Sequence, residues 1–186
     1  MTLPEVEKLP LRGVLHITPR RFGDERGFFC EVYNGAAFGE IGVPNKFIQD
    51  NQSLSRSRGV VRGLHFQTAP FAQAKLVRVA RGSVYDAVVD LRKNSSTYGK
   101  SAGVVLSAER GNQLFVPAGF AHGFCTLEPD TEVIYKVDAP YSREHEGGLL
   151  WNDPALGIVW PIGEHEAVLI ERDRKNPPLS DLPDLF

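Results

Sequence analysis

The chain reads as an all-β fold, a jelly-roll sandwich or barrel with short peripheral helices. Two observations predict this. Runs rich in β-branched and aromatic residues recur along most of the 186 residues, and Gly and Pro punctuate them at intervals of roughly ten residues, the spacing of antiparallel sandwiches. Helical periodicity is scarce. Strands are expected over residues 13–18, 27–33, 46–53, 60–67, 75–80, 84–91, 101–106, 113–116, 123–127 and 131–137. The run Val-Tyr-Asp-Ala-Val-Val-Asp-Leu from Val84 is β-branched and mostly apolar, as a core strand requires. Arg81, Gly82 and Ser83 suit a hairpin turn between two such runs. Helix is expected only over residues 36–41 and 164–174.

Length and composition narrow the class. The chain is short enough for one domain, and a hydrophobic content of 42% supplies a substantial core. The formal net charge is -2, with no basic excess to suggest a nucleic-acid partner. The stretch from Met1 to Leu11 carries Glu5, Glu7 and Lys8, so no secretory leader is expected. No run approaches the roughly 20 apolar residues of a membrane span, so no membrane partner is expected. Cys30 and Cys125 lie far apart and match no metal or redox spacing, which suits free thiols in a reducing cytoplasm.

The chemistry concentrates in Arg62-Gly63-Leu64-His65-Phe66-Gln67. On a strand, His65 and Gln67 share one face while Leu64 and Phe66 take the other. A polar row there implies a lined cavity. Strict alternation would put Arg62 with Leu64, away from His65, unless the strand bulges. A second histidine, His122, follows the Pro117-Ala118-Gly119 turn. Gly111, Pro117, Gly119 and His122 resemble much of the second motif of the cupin superfamily. Metal-binding cupins carry His-x-His in the first motif, where this chain has His65-Phe66-Gln67 with Lys75 beyond. Gln is a poor metal ligand and a lysine cation repels a metal, so neither metal nor cofactor is expected. A cavity of His, Lys and Tyr suits proton abstraction beside a carbonyl: imidazole is the base, a cation steadies the enolate, and a hydroxyl returns the proton.

Several blocks in order resemble one family, the dTDP-4-dehydrorhamnose 3,5-epimerases. They are Phe22-Gly23-Asp24-Glu25-Arg26-Gly27-Phe28-Phe29, Gln49-Asp50-Asn51, Arg62 to Gln67 with Gln73-Ala74-Lys75-Leu76-Val77, and Pro117 to Phe124. Tyr135-Lys136, Glu146-Gly147-Gly148 and Trp151-Asn152-Asp153-Pro154 complete the set. The resemblance runs from about residue 10 to about residue 175. It implies a homodimeric cupin-like jelly roll acting on a dTDP-linked 4-keto-6-deoxy sugar, inverting C3 and C5 to give dTDP-4-dehydro-L-rhamnose for dTDP-L-rhamnose synthesis. An epimerase of one carbon only, or a non-catalytic sugar-nucleotide binder, would share many of these residues.

By the same resemblance His65 is the proton acceptor, Tyr135 the donor, Lys75 the cation near the C4 carbonyl, and Asp173 the carboxylate behind the base. Arg26, Glu31, Gln49, Asp50, Asn51, Arg62, His122, Glu146 and Arg172 match ligand-contacting positions, and guanidinium forks at Arg26 and Arg62 suit phosphate. Residues 1–186 would form a single epimerase domain. The segment to about residue 35 would lie at the dimer interface, with Arg26 and Glu31 reaching across it, and a short helical tail would start near residue 164. The family's tyrosine pair is interrupted here, since Pro140 precedes Tyr141. Read alone, Asp173 among Glu171, Arg172, Arg174 and Lys175 is an exposed charged face.

Overall fold

A computed structural model describes residues 3–43 and 46–186; residues 1 and 2 of the expected interface segment lie outside these. Two antiparallel sheets face each other. The larger has the order β1 (Glu5–Lys8), β2 (Leu15–Thr18), β10 (Gln113–Val116), β7 (Lys75–Arg81), β12 (Thr131–Val137) and β5 (Gln49–Ser55). The smaller runs β13 (Glu146–Gly148), β6 (Val61–Gln67), β11 (Phe120–Thr126), β8 (Ser83–Asp90) and β9 (Ser101–Ser107). A separate hairpin pairs β3 (Arg21–Asp24) with β4 (Gly27–Cys30). The non-sequential strand orders are those of a jelly roll.

Alternation explains the core. Val77 and Val79 on β7, Leu114 and Val116 on β10, and Val133 on β12 point inward from the larger sheet. They meet Val84 and Val88 of β8, Leu106 of β9 and Phe124 of β11. Each fully buried side chain of this kind contributes about 1.5–3 kcal/mol. The outer face of β6 is apolar too: Leu64 and Phe66 pack under the C-terminal segment through Leu179, Leu182 and Phe186. His65 and Gln67 are thereby directed between the sheets.

Three expectations change. Arg81-Gly82-Ser83 is no hairpin, because β7 and β8 lie in different sheets. Gly82 is the corner where the chain crosses over. Its φ is +75°, and a Cβ there would stand 2.4 Å from Thr131 Oγ1, so only glycine turns this corner unstrained. The helix expected over residues 164–174 splits into a short 3-10 turn, Glu164–Glu166, and α2 (Glu171–Arg174). Between them Val168 bridges Val60, with Val61 N–H donating to Val168 O at 3.0 Å. β-branched and apolar residues there favour extended backbone over helix. The strands β1, β3 and β13 escaped notice, being three or four residues long and partly exposed. The first helix, α1 (Gly35–Glu40), falls where expected, capped by Asn34.

Candidate active site

One end of the sandwich is hollow. A cavity of about 370 Å³ is lined by Arg62 and His65 of β6, Lys75 of β7, His122 of β11, Tyr135 of β12 and Asp173 of α2. A second hollow of about 360 Å³ shares His65, Lys75 and Tyr135 and continues to Gln49, Asn51 and Glu146. The three shared residues therefore stand where two lobes meet.

Arg62 and His65 face the same space because β6 bulges. His65 pairs with His122, yet Arg62 pairs with Phe124, so three steps on β6 oppose two on β11. The extra residue inverts the side-chain parity between Arg62 and His65. Gly63 permits it, with φ +130° and a position where any Cβ would lie 2.6 Å from Gly123 Cα. Arg62 is steadied by Ser55 Oγ at 3.2 Å and Leu54 O at 3.2 Å.

Behind His65 stands Asp173, which is 2% exposed. Its Oδ1 lies 2.8 Å from His65 Nε2, and its Oδ2 accepts from Gly63 N–H at 3.3 Å. The charged segment around it is exposed, but α2 turns this one carboxylate inward; the exposed-face reading fails for Asp173. Burial alone would raise its pKa, but the His65 hydrogen bond and charge and the Gly63 N–H outweigh burial and lower it. An ionised Asp173 fixes the proton on His65 Nε2 and leaves the Nδ1 lone pair for a substrate.

Burial shifts two further groups of the cavity. Burial pushes the Lys75 ammonium down to about 8, against the attraction of Asp86 and Glu146. Burial raises the Tyr135 phenol, with Arg62 opposing and Glu146 assisting. Tyr135 therefore holds its proton at neutral pH.

Asp86 is the residue that sequence reasoning missed. It is fully buried on β8, with Oδ1 2.8 Å from His122 Nε2. The available signal was an acid inside the apolar run from Val84 to Leu91, which needs a buried partner. Glu146 receives two groups: Arg172 Nη2 at 2.7 Å and the Tyr141 hydroxyl at 2.8 Å. Burial works against its ionisation, but those two contacts and the His65 charge prevail, and its pKa is lowered.

Not every expected residue converges. Gln49 and Asn51 border the second lobe and are joined at 2.8 Å. Asp50, between them on β5, turns to the opposite face and pairs with Lys136 at 2.8 Å. Arg26 and Glu31 lie on or beside the β3–β4 hairpin, outside both lobes; Arg26 folds back on Asp24 at 2.6 Å on an exposed turn. Among the described residues no cluster of three His, Cys, Asp or Glu could hold a metal.

Such a jelly roll, with a polar hollow at one end of a close-packed sandwich, is of the cupin-like class. Residues 8–181 match the family described as dTDP-4-dehydrorhamnose 3,5-epimerase. The chain belongs to that family. It is 52% identical over 180 residues to the dTDP-4-dehydrorhamnose 3,5-epimerase of Sinorhizobium fredii, covering 97% of this chain and 92% of that one. The Bacillus anthracis epimerase crystallised with TDP and pyrophosphate superimposes with a TM-score of 0.91 at 48% identity, over 94% of this chain and 99% of that one. The Legionella pneumophila epimerase bound to dTDP-4-keto-L-rhamnose superimposes with a TM-score of 0.91 at 38% identity, over 97% and 95%.

Proposed function

We propose that the chain epimerises dTDP-4-dehydro-6-deoxyglucose at C3 and C5 to dTDP-4-dehydro-L-rhamnose. The observation that carries this is the meeting of His65, Lys75 and Tyr135 at the junction of two lobes, with Asp173 2.8 Å behind the histidine. The C4 ketone acidifies the neighbouring C–H bonds. His65 Nδ1 takes one proton, and the electron pair moves into the C4 oxygen as an enolate. The Lys75 ammonium, with Arg62 on the same wall, steadies that oxygen. Tyr135 gives its proton to the carbon from the opposite face, so the centre inverts. His65 then releases its proton to solvent and the Tyr135 phenolate regains one, and the reset pair repeats the exchange at the second carbon. Gln49, Asn51, His122, Glu146 and Arg172 bind the remainder of the ligand.

The chain is one epimerase domain and works as a homodimer, with the segment to about residue 35 at the interface. Two features support this. Phe22, Phe28 and Phe29 are 47%, 60% and 70% exposed on the hairpin, far more than water-facing aromatics warrant. Arg26 and Glu31, expected at the ligand, lie outside this protomer's cavity. Two free cysteines suit a cytoplasmic setting.

Proton NMR in D₂O with dTDP-4-keto-6-deoxyglucose tests the reading. The protein is expected to place deuterium at both C3 and C5. The His65→Ala variant should lose at least about 10²-fold in exchange rate. The Tyr135→Phe variant should still exchange but epimerise poorly. Deuterium at one carbon alone would make this a monofunctional epimerase, and undiminished exchange in His65→Ala would remove His65 as the base.

A further inference from the structure

The strap of residues 138–145 joins β12, which carries Tyr135, to β13, which begins at Glu146. It brings Tyr141 to the second lobe and forms no strand of its own. Side chains hold most of it, and Gln67 holds its middle. Gln67 Nε2 donates to Phe71 O at 2.7 Å and to Pro140 O at 3.1 Å, while its Oε1 accepts from Ser142 N–H at 2.8 Å. The side chain is 6% exposed; its bonds to Pro140 and Ser142 clasp the strap on both sides of Tyr141, and the bond to Phe71 O ties that clasp to the segment after β6. Gln73 adds a bond to Ala139 O at 2.7 Å, and Asp138 Oδ1 accepts from Ala74 N–H at 2.7 Å. Held this way, the Tyr141 hydroxyl reaches Glu146 at 2.8 Å.

We infer that Gln67 is a positioning residue: it sets the Tyr141–Glu146 wall of the second lobe and so governs how tightly the nucleotide sugar is held, with no part in proton transfer. The residue type fits that task. An amide offers two donors and an acceptor in one plane, whereas a neutral imidazole offers one of each. The histidine of a metal-binding pair could not make these three bonds together.

The inference rests on the reading that this cavity takes a dTDP-sugar. Its test pairs steady-state kinetics with calorimetric titration of dTDP on wild type and Gln67→Ala. We expect KM and the dTDP Kd to rise about tenfold while kcat stays within about threefold, the signature of lost uniform binding. The Gln67→Glu variant keeps the acceptor but sets a carboxylate against two carbonyl oxygens. Its binding should be weak above neutral pH and recover as the carboxyl takes up a proton and donates, at pH values where thermal unfolding shows the variant fully folded, so that the change is in binding and not in stability. Unchanged KM and Kd, or a fall in kcat at fixed KM, overturns the inference. Should Gln67→Ala fail to fold, Gln67→Glu decides, and an unchanged Kd there above neutral pH has the same force. Wild-type protein that binds no dTDP overturns the functional reading as well; wild-type binding with an indifferent variant overturns this inference alone.

Discussion

In the proposed function His65, Lys75 and Tyr135 divide one proton exchange among three side chains, and their environments suit that division. Asp173 stays ionised through the working range because its pKa is lowered, so it does not limit activity near neutrality. Lys75 has to be charged to steady the enolate, and its pKa stands near 8. Above that value the cation is lost, while Tyr135, raised above its ordinary value of 10, still carries its proton. The rate kcat/KM should therefore fall about tenfold per pH unit above roughly 8. Lys75→Met should lower the rate by about 10²–10³-fold and abolish that alkaline limb. A limb that persisted in Lys75→Met would assign it to another group. At this scale the sequence was most informative: the types and order of His65, Lys75 and Tyr135 pointed to proton transfer. Asp86 was not recognised, because one acid in an apolar strand does not reveal its partner 36 residues away.

Among the elements, β6 and α2 decide the site. The parity of β6 depends on one extra residue at Gly63, which lets Arg62 and His65 share a cavity. Gly63→Ala puts a methyl against the Gly123 backbone at a φ that L-residues rarely adopt. It should cost at least about 1–3 kcal/mol in thermal or urea unfolding and weaken ligand binding through Arg62. Unaltered stability and binding would mean that the bulge tolerates a side chain. Alternation in β6 was readable, and so was the conflict over Arg62. Its resolution was not, since a bulge is defined against the partner strand β11. The tail shows a similar limit: charge spacing suggested one helix over residues 164–174, yet pairing of Val168 with Val60 keeps the middle extended and aims Asp173 inward.

For the whole molecule, the exposed phenylalanines of the β3–β4 hairpin and the position of Arg26 and Glu31 outside the cavity fit the proposed homodimer. If Arg26 serves the partner's cavity, inactive Arg26→Ala and His65→Ala dimers should complement each other. After subunit exchange at equal mixing, half the dimers are mixed and each has one intact site, giving about a quarter of wild-type activity. No recovery, despite heterodimers seen by native mass spectrometry, would place Arg26 in its own protomer's site. The architecture itself was largely legible. Two-residue periodicity and Gly/Pro spacing gave most strands within a few residues, and failed for the short edge strands that bury little. The turn at Gly82 was misjudged because a hairpin and a sheet-to-sheet corner use the same glycine.

What the amino-acid sequence determined by itself is the kind of fold and the kind of chemistry. Alternation is a local property of the backbone, and residue type sets which groups can accept a proton, donate one or carry charge. Convergence was left to the tertiary structure. It decided that Asp173 and not its charged neighbours meets His65, that Asp86 underlies His122, and that Asp50 turns away from the cavity. It also showed that Gln67 spends its amide on the strap around Tyr141. Each of these depends on which strand or helix packs opposite, a relation between distant segments that no local pattern records.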